Sequence, residues 1–190
     1  MKKVIESEKK SKVFKTVFDI TITAMFIAVI VVSAQISFPL PSGVPVTLQT
    51  FAVALCGYCL GVKRSSFALL GYLLMGVVGI PVFSAFSGGI GVLLGKTGGF
   101  IFGFIFLVFS CGLVSDNKKI FIKIGSGIIG LVLCHLIGVL YFAHLTGSDF
   151  VPALLLVSLP YAVKDIISVA GAALISGRIS SLIKKASSIK

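Results

Sequence analysis

The sequence predicts an all-α fold, an integral membrane bundle of six transmembrane helices with both termini cytoplasmic, and three observations predict it. Of the 190 residues, 57% are hydrophobic and only 12% are charged, whereas an ordinary globular domain is about 25% charged. Apolar runs fall at 16–38, 47–62, 66–80, 98–114, 120–146 and 151–176, each able to cross a bilayer with some tilt or local thinning. Basic residues gather in alternate connections, which orients those connections toward the cytoplasm. Such a chain takes the lipid bilayer as its solvent and leaves no room for a separate enzymatic domain.

The elements follow in order. Residues 1–15 form a basic N-terminal tail with six Lys, residues 16–183 a membrane domain, and residues 184–190 a basic C-terminal tail. The first run is long and lacks a small-residue cleavage site, so it reads as a retained span and not a signal peptide. Lys63 and Arg64 separate the second and third runs, Lys118, Lys119 and Lys123 the fourth and fifth, and Arg178, Lys184, Lys185 and Lys190 follow the sixth. With the N-terminal six these make 15 of the 17 basic residues. The net charge of +11 therefore reports topology and points to no nucleic-acid partner. On the opposite side, the segment from Pro39 to Gln49 carries no charge and holds Pro39, Pro41 and Pro45, making it stiff and non-helical. Such backbone is tolerated near a bilayer where protein or a wet cavity satisfies it, as in a cap over a pocket. The second outer segment, Ile80 to Phe100, is rich in Gly and Ser and contains Lys96.

Lys96 and Lys164 are the basic residues that topology leaves unexplained. Lys164 and Asp165 lie inside an apolar run, where an ionisable residue is a functional-site hypothesis by default. Adjacent helical residues project about 100° apart, so the two are not expected to pair face to face. Pro160 frees a carbonyl one turn upstream and supplies a mechanism for a kink. Tyr161, Lys164, Asp165 and Ser168 then share one broad polar arc. The alternative is a charge pair that only fixes helix packing.

Gly95-Lys96-Thr97 resembles the end of a phosphate-binding loop, but the required earlier glycine position is Ile90, and the nucleotide reading fails on spacing. What remains is a cation among uncovered backbone N–H groups, either an anion site or a Lys reaching the outer interface. Gly91, Gly95, Gly99 and Gly103 recur every four residues, a stripe suited to close helix packing, as is the Ala24-x-x-x-Ala28 pattern in the first run. Cys56-Gly-Tyr-Cys59 has no His or carboxylate nearby, so the four cysteines, Cys56, Cys59, Cys111 and Cys134, read as buried thiols and no metal site is expected. His135 and His144 are read as packing or interface residues. No catalytic constellation is present, so no enzyme and no cofactor is expected.

The string Ala34-Gln-Ile-Ser-Phe-Pro-Leu-Pro-Ser-Gly-Val-Pro-Val-Thr-Leu-Gln-Thr50, with Gly79-Ile-Pro-Val-Phe83, Gly88-Gly-Ile-Gly91 and Gly95-Lys-Thr-Gly-Gly-Phe100, resembles the BioY family, the biotin-binding S components of energy-coupling factor transporters. The resemblance spans about residues 20 to 175. It implies a six-helix cell-membrane protein that captures biotin from outside, with the first outer loop as a lid. It implies as partners a transmembrane coupling (T) component and two cytoplasmic ABC-type ATPases, with Ala24 and Ala28 matching the docking motif of the first helix. The residue chemistry fits this ligand: Asp165 can accept from the ureido N–H groups, and Lys96 can pair with the carboxylate of biotin, with Lys164 as the other candidate to hold or share it and Ser168 beside them. Phe83, Phe86 and Tyr161 cover the ring and chain, and Ser84, Ser87 and Gln49 are candidates for the ureido carbonyl. Many members carry a basic residue about one turn after the aspartate; here Ser168 stands there and Lys164 precedes the aspartate. The competing readings are an S component for another small anionic vitamin and a self-sufficient secondary porter, the latter disfavoured by the lack of a clear inverted repeat.

Overall fold

The computed structural model describes residues 2–188, with side chains from residue 13 onward. Most of the expected N-terminal Lys cluster and Lys190 therefore lie outside the described side chains. Helix α1 (Lys2–Gln35) runs unbroken through the tail into an apolar stretch, Val13–Gln35, long enough to cross a membrane. The proline-rich segment then departs from the all-α expectation. Strand β1 (Ser37–Phe38) pairs antiparallel with β2 (Val46–Thr47), Ser37 opposite Thr47 and Phe38 opposite Val46. Prolines at the ribbon's end cannot donate ladder bonds, which keeps it short, and Gly43 turns the chain at a φ of 79° that side-chain-bearing residues rarely adopt.

Helix α2 (Gln49–Val77) is folded back on itself at Gly61, whose φ of 73° and ψ of 171° are not helical. A straight helix would hold Gln49 and Tyr72 about 34 Å apart, yet Gln49 Nε2 donates to the Tyr72 hydroxyl at 2.7 Å. The runs expected at 47–62 and 66–80 are thus the two arms of α2, and Lys63 and Arg64 continue the helix instead of forming a loop. Arg64 pairs with Asp19 of α1 at 2.9 Å.

The small-residue segment after α2 forms a knuckle, a 3-10 turn at Ser84–Phe86, followed by the short helix α3 (Ile90–Leu93). Ala85 and Phe86 both have positive φ, 54° and 53°, a strained geometry for residues with a Cβ. Gln35 at the end of α1 holds it. Its amide donates to the carbonyls of Val82 and Phe83 at 3.3 and 3.1 Å, and its oxygen accepts from the Phe86 N–H at 2.9 Å.

Helix α4 (Gly98–Leu113) lies against α5 (Ile120–Thr146). The glycine stripe works as expected at Gly103, where a Cβ would stand 2.8 Å from Cys134, so the two backbones approach as small residues allow. Gly91 meets nothing and takes no part in that contact. Lys123 is the other departure here. Expected in a connection, it sits inside α5, buried, and donates to Ser176 at 3.0 Å.

The last apolar run is divided. Helix α6 (Phe150–Val157) ends at Ser158, and α7 (Leu159–Ser187) begins with Pro160 in its first turn. The break comes just before the proline because Pro fits a helix's first turn, where its missing N–H has no intrahelical partner anyway. Helices α1, α5 and α7 are long and apolar enough to cross a membrane, as is α2 by its total length and composition, which its two arms share, while α4 is a shorter apolar helix. At the end of α7, the Lys184 ammonium donates to Asp116 at 2.6 Å and holds that carboxyl below its ordinary range.

Candidate functional site

At the end of the bundle where β1 and β2 lie, helices α2, α4, α5 and α7 surround a cavity of about 60 Å³. It is walled by Thr47, Gln49, Thr50, Ser84, Thr97, Phe100, Phe104, Leu131, Cys134, His135, Tyr161, Lys164 and Asp165, among others. The ribbon closes it. Val44 is buried with Val139, Phe142, Ala153, Val157 and Tyr161 in an apolar cluster. The Tyr161 hydroxyl donates to the Val44 carbonyl and contacts the Ser42 hydroxyl, the latter at 3.0 Å. Lys164 Nζ donates to the Thr47 carbonyl at 2.7 Å. The first turns of α7 therefore hold the proline-rich segment down as a lid.

Beneath the lid sits Asp165, 5% exposed. Its Oδ2 accepts from His135 Nε2 at 3.1 Å, and His135 Nδ1 meets the Ser158 hydroxyl at 2.8 Å. Its Oδ1 touches the Lys164 ammonium but takes no hydrogen bond of ordinary geometry among the described residues. The expectation that Lys164 and Asp165 point apart is corrected here. The Lys stem is long enough to curl back to its neighbour while reaching the lid, so backbone projection alone does not set where the ammonium goes. An ionised carboxylate is acceptor-only and can take two N–H donors side by side. With the rings of Phe100, Phe104 and Tyr161 around it, the cavity suits a flat, partly apolar molecule that presents N–H groups.

Of the residues singled out by sequence, Asp165, Lys164, Tyr161, Ser84 and Gln49 line this cavity. Gln49 is engaged with Tyr72 and with Thr47, whose hydroxyl donates to it at 3.0 Å. Ser168 is buried one turn beyond Asp165, outside the lining. Ser87 donates to the Ser84 carbonyl at 2.7 Å and braces the knuckle. Phe86 is 71% exposed, while Phe83 is fully buried with its ring edge-on to Tyr72. Lys96 is exposed and does not line the cavity; its side chain passes so close to Gly43 that a Cβ there would be 3.2 Å from it. It stands beside Thr97, which does line the cavity.

His135 is the residue that sequence reasoning missed. Read as a packing residue, it is instead the partner of the buried carboxylate, and its ring meets Phe100 edge-on at 5.8 Å. The one signal in the sequence was a polar ring on an otherwise apolar span, and nothing local says which helix it faces. His144 is exposed near the end of α5. Cys56, Cys111 and Cys134 are buried free thiols, and Cys59 is partly so. Ala24 and Ala28 are both exposed on α1, and Ala24 borders a groove of about 960 Å³ between α1, the turn of α2 and the end of α7.

The family model for BioY matches residues 6–185. The chain is 41% identical over 159 residues to the biotin transporter BioY of Thermotoga maritima, covering 83% of this chain and 93% of that one. It is 38% identical over 161 residues to a probable biotin transporter BioY of Pyrococcus horikoshii, covering 85% and 95%. Its fold matches a crystal structure of the S-component for biotin from an ECF-type ABC transporter with a TM-score of 0.81 at 21% identity, over 87% of this chain and 92% of that one.

Proposed function

The chain belongs to the BioY family, and from that membership we infer that it is a non-enzymatic membrane protein that captures biotin as the S component of an energy-coupling factor transporter. The observation that carries the reading to residues is the Asp165 carboxylate, buried in a lidded cavity with the Lys164 ammonium against one oxygen and His135 against the other. The ureido ring of biotin offers two N–H donors side by side, and Asp165 takes them. Each oxygen keeps acceptor capacity beyond its contact with His135 or Lys164, and a ligand that seals the site without N–H donors leaves that capacity unused, so molecules lacking the ureido donors bind less well. Phe100, Phe104 and Tyr161 cover the fused rings, and Ser84 or Gln49 faces the ureido carbonyl.

The valerate chain runs toward the lid, where Lys96 meets its carboxylate beside Gly43, with Lys164 already committed to Thr47 and Asp165. A cavity of about 60 Å³ holds a handful of waters, each needing about 10–15 Å³. The lid must therefore lift for biotin to enter. The two arms of α2 cross separately, giving six crossings with α1, α4, α5 and the α6–α7 unit. The basic connections then put both termini in the cytoplasm and the lid outside. A coupling component docks over Ala24 and Ala28, where small exposed residues let a partner helix approach closely, and two ABC-type ATPases drive the cycle.

Replacing Asp165 with Asn tests the site. The variant loses a charge-assisted acceptor, and its biotin dissociation constant rises about 10- to 150-fold. Affinity equal to wild type would put the ureido ring elsewhere.

A further inference from the structure

We propose that His135 is a positioning residue for biotin recognition, locked by the Ser158 hydroxyl at the α6–α7 break so that its Nε2–H fixes the Asp165 carboxylate. The inference rests on the reading that this cavity takes biotin, and it adds a residue that acts on the ligand through another side chain.

The geometry makes a relay across two helices and a break. His135 Nε2 lies 3.1 Å from Asp165 Oδ2, and His135 Nδ1 lies 2.8 Å from Ser158 Oγ. A carboxylate only accepts, so a proton facing Asp165 belongs to Nε2, while Nδ1 is held by the Ser158 hydroxyl, which can donate or accept. Ser158 is buried and sits where the helix is interrupted, with φ −123° and ψ −53°, so its hydroxyl leaves the helical pattern and reaches α5. The Phe100 ring, edge-on at 5.8 Å, limits the imidazole on its other side.

The consequence falls on Asp165. Without the imidazole, Asp165 would keep the Thr50 side chain and one charged partner, the Lys164 ammonium, which is tied to the lid through Thr47. That charged partner would move with the lid each time the site opened, pulling on the carboxylate. The imidazole, held on rigid α5, keeps the plane of the carboxylate fixed while the lid moves, so the two acceptor directions are ready for the ureido N–H pair. Each oxygen keeps a lone pair for the ligand after its protein contact.

The test is equilibrium binding of labelled biotin to the purified full chain, with His135→Gln, His135→Asn and His135→Leu, alone and combined with Asp165→Asn. The Gln amide nitrogen stands where Nε2 does and still reaches Asp165, whereas the Asn amide reaches only toward Ser158. His135→Gln is expected within about threefold of wild type, and His135→Asn and His135→Leu about 10- to 100-fold weaker. Adding either to Asp165→Asn is expected to weaken binding no further, because the residue acts through that carboxylate. Should the Leu variant fail to fold, the Asn variant carries the comparison. Asn and Leu variants that bind like wild type, or losses that multiply with Asp165→Asn, overturn the role. Wild-type chain that does not bind biotin overturns the functional reading itself.

Discussion

Lys164→Met releases one of the two side chains that hold the lid, and the size of the effect follows from its contacts. The ammonium donates to the Thr47 carbonyl at 2.7 Å, and its side chain is 27% exposed. A hydrogen bond from a charged group contributes about 1.5–3 kcal/mol. Partial exposure lets water replace the ammonium, which places this one at the low end, about 1.5–2 kcal/mol. At about 1.4 kcal/mol per tenfold, the open lid becomes about 10- to 30-fold more populated. The burial of Val44 and the Tyr161 contacts remain, so the lid still closes. Because biotin leaves through the lid, its dissociation rate rises by the same factor, while association is unchanged or faster. The assay is a chase of labelled biotin from the purified protein. Tyr161→Phe separates the lid effect from any effect on Asp165, since its hydroxyl bonds the lid residues Ser42 and Val44; it too is expected to speed release. Dissociation within twofold of wild type in Lys164→Met would refute the idea that this contact holds the lid.

Lys96→Ala is expected to weaken biotin several-fold while leaving biotinamide, which has no carboxylate, nearly untouched; parallel titrations with the two ligands check this. Equal losses for both ligands would remove Lys96 from the carboxylate. Ala24→Trp and Ala28→Trp leave biotin binding by the isolated chain unchanged, since both positions are exposed and neither lines the cavity, but abolish ATP-driven uptake when the chain is assembled with its coupling component. Normal uptake by these variants would move the docking face elsewhere.

The apolar runs were legible because lipid demands them: a helix that spans needs about 20 predominantly apolar residues. The reversal at Gly61 was legible only as a pair of basic residues. Lys63 and Arg64 marked the right place by charge, yet a single glycine with positive φ turns the chain there without a loop. Pro160 signalled the interruption of the last run, and the break fell at Ser158, two residues earlier. The lid was legible as proline-rich, non-helical backbone, but its ribbon pairing depends on Ser37 meeting Thr47, a register that prolines do not encode. In the site, Lys164 and Asp165 stood out because charge inside an apolar run is rare. His135 did not, since its meaning comes from α7 packing against α5, and helical spacing within α5 carries no trace of Asp165. Ser168 was singled out by its place on the same arc and lies just past the cavity, because the three residues of helix beyond Asp165 shift a side chain by about 4.5 Å along the axis.

The measurement that bears most directly on the account is equilibrium binding of labelled biotin to the detergent-purified chain alone, with unlabelled biotin and other vitamins as competitors. Saturable, tight binding without ATPases or coupling component, displaced by biotin and not by other vitamins, is the predicted result. A well-folded chain that binds no biotin, or that releases it equally to an unrelated anionic vitamin, would contradict it.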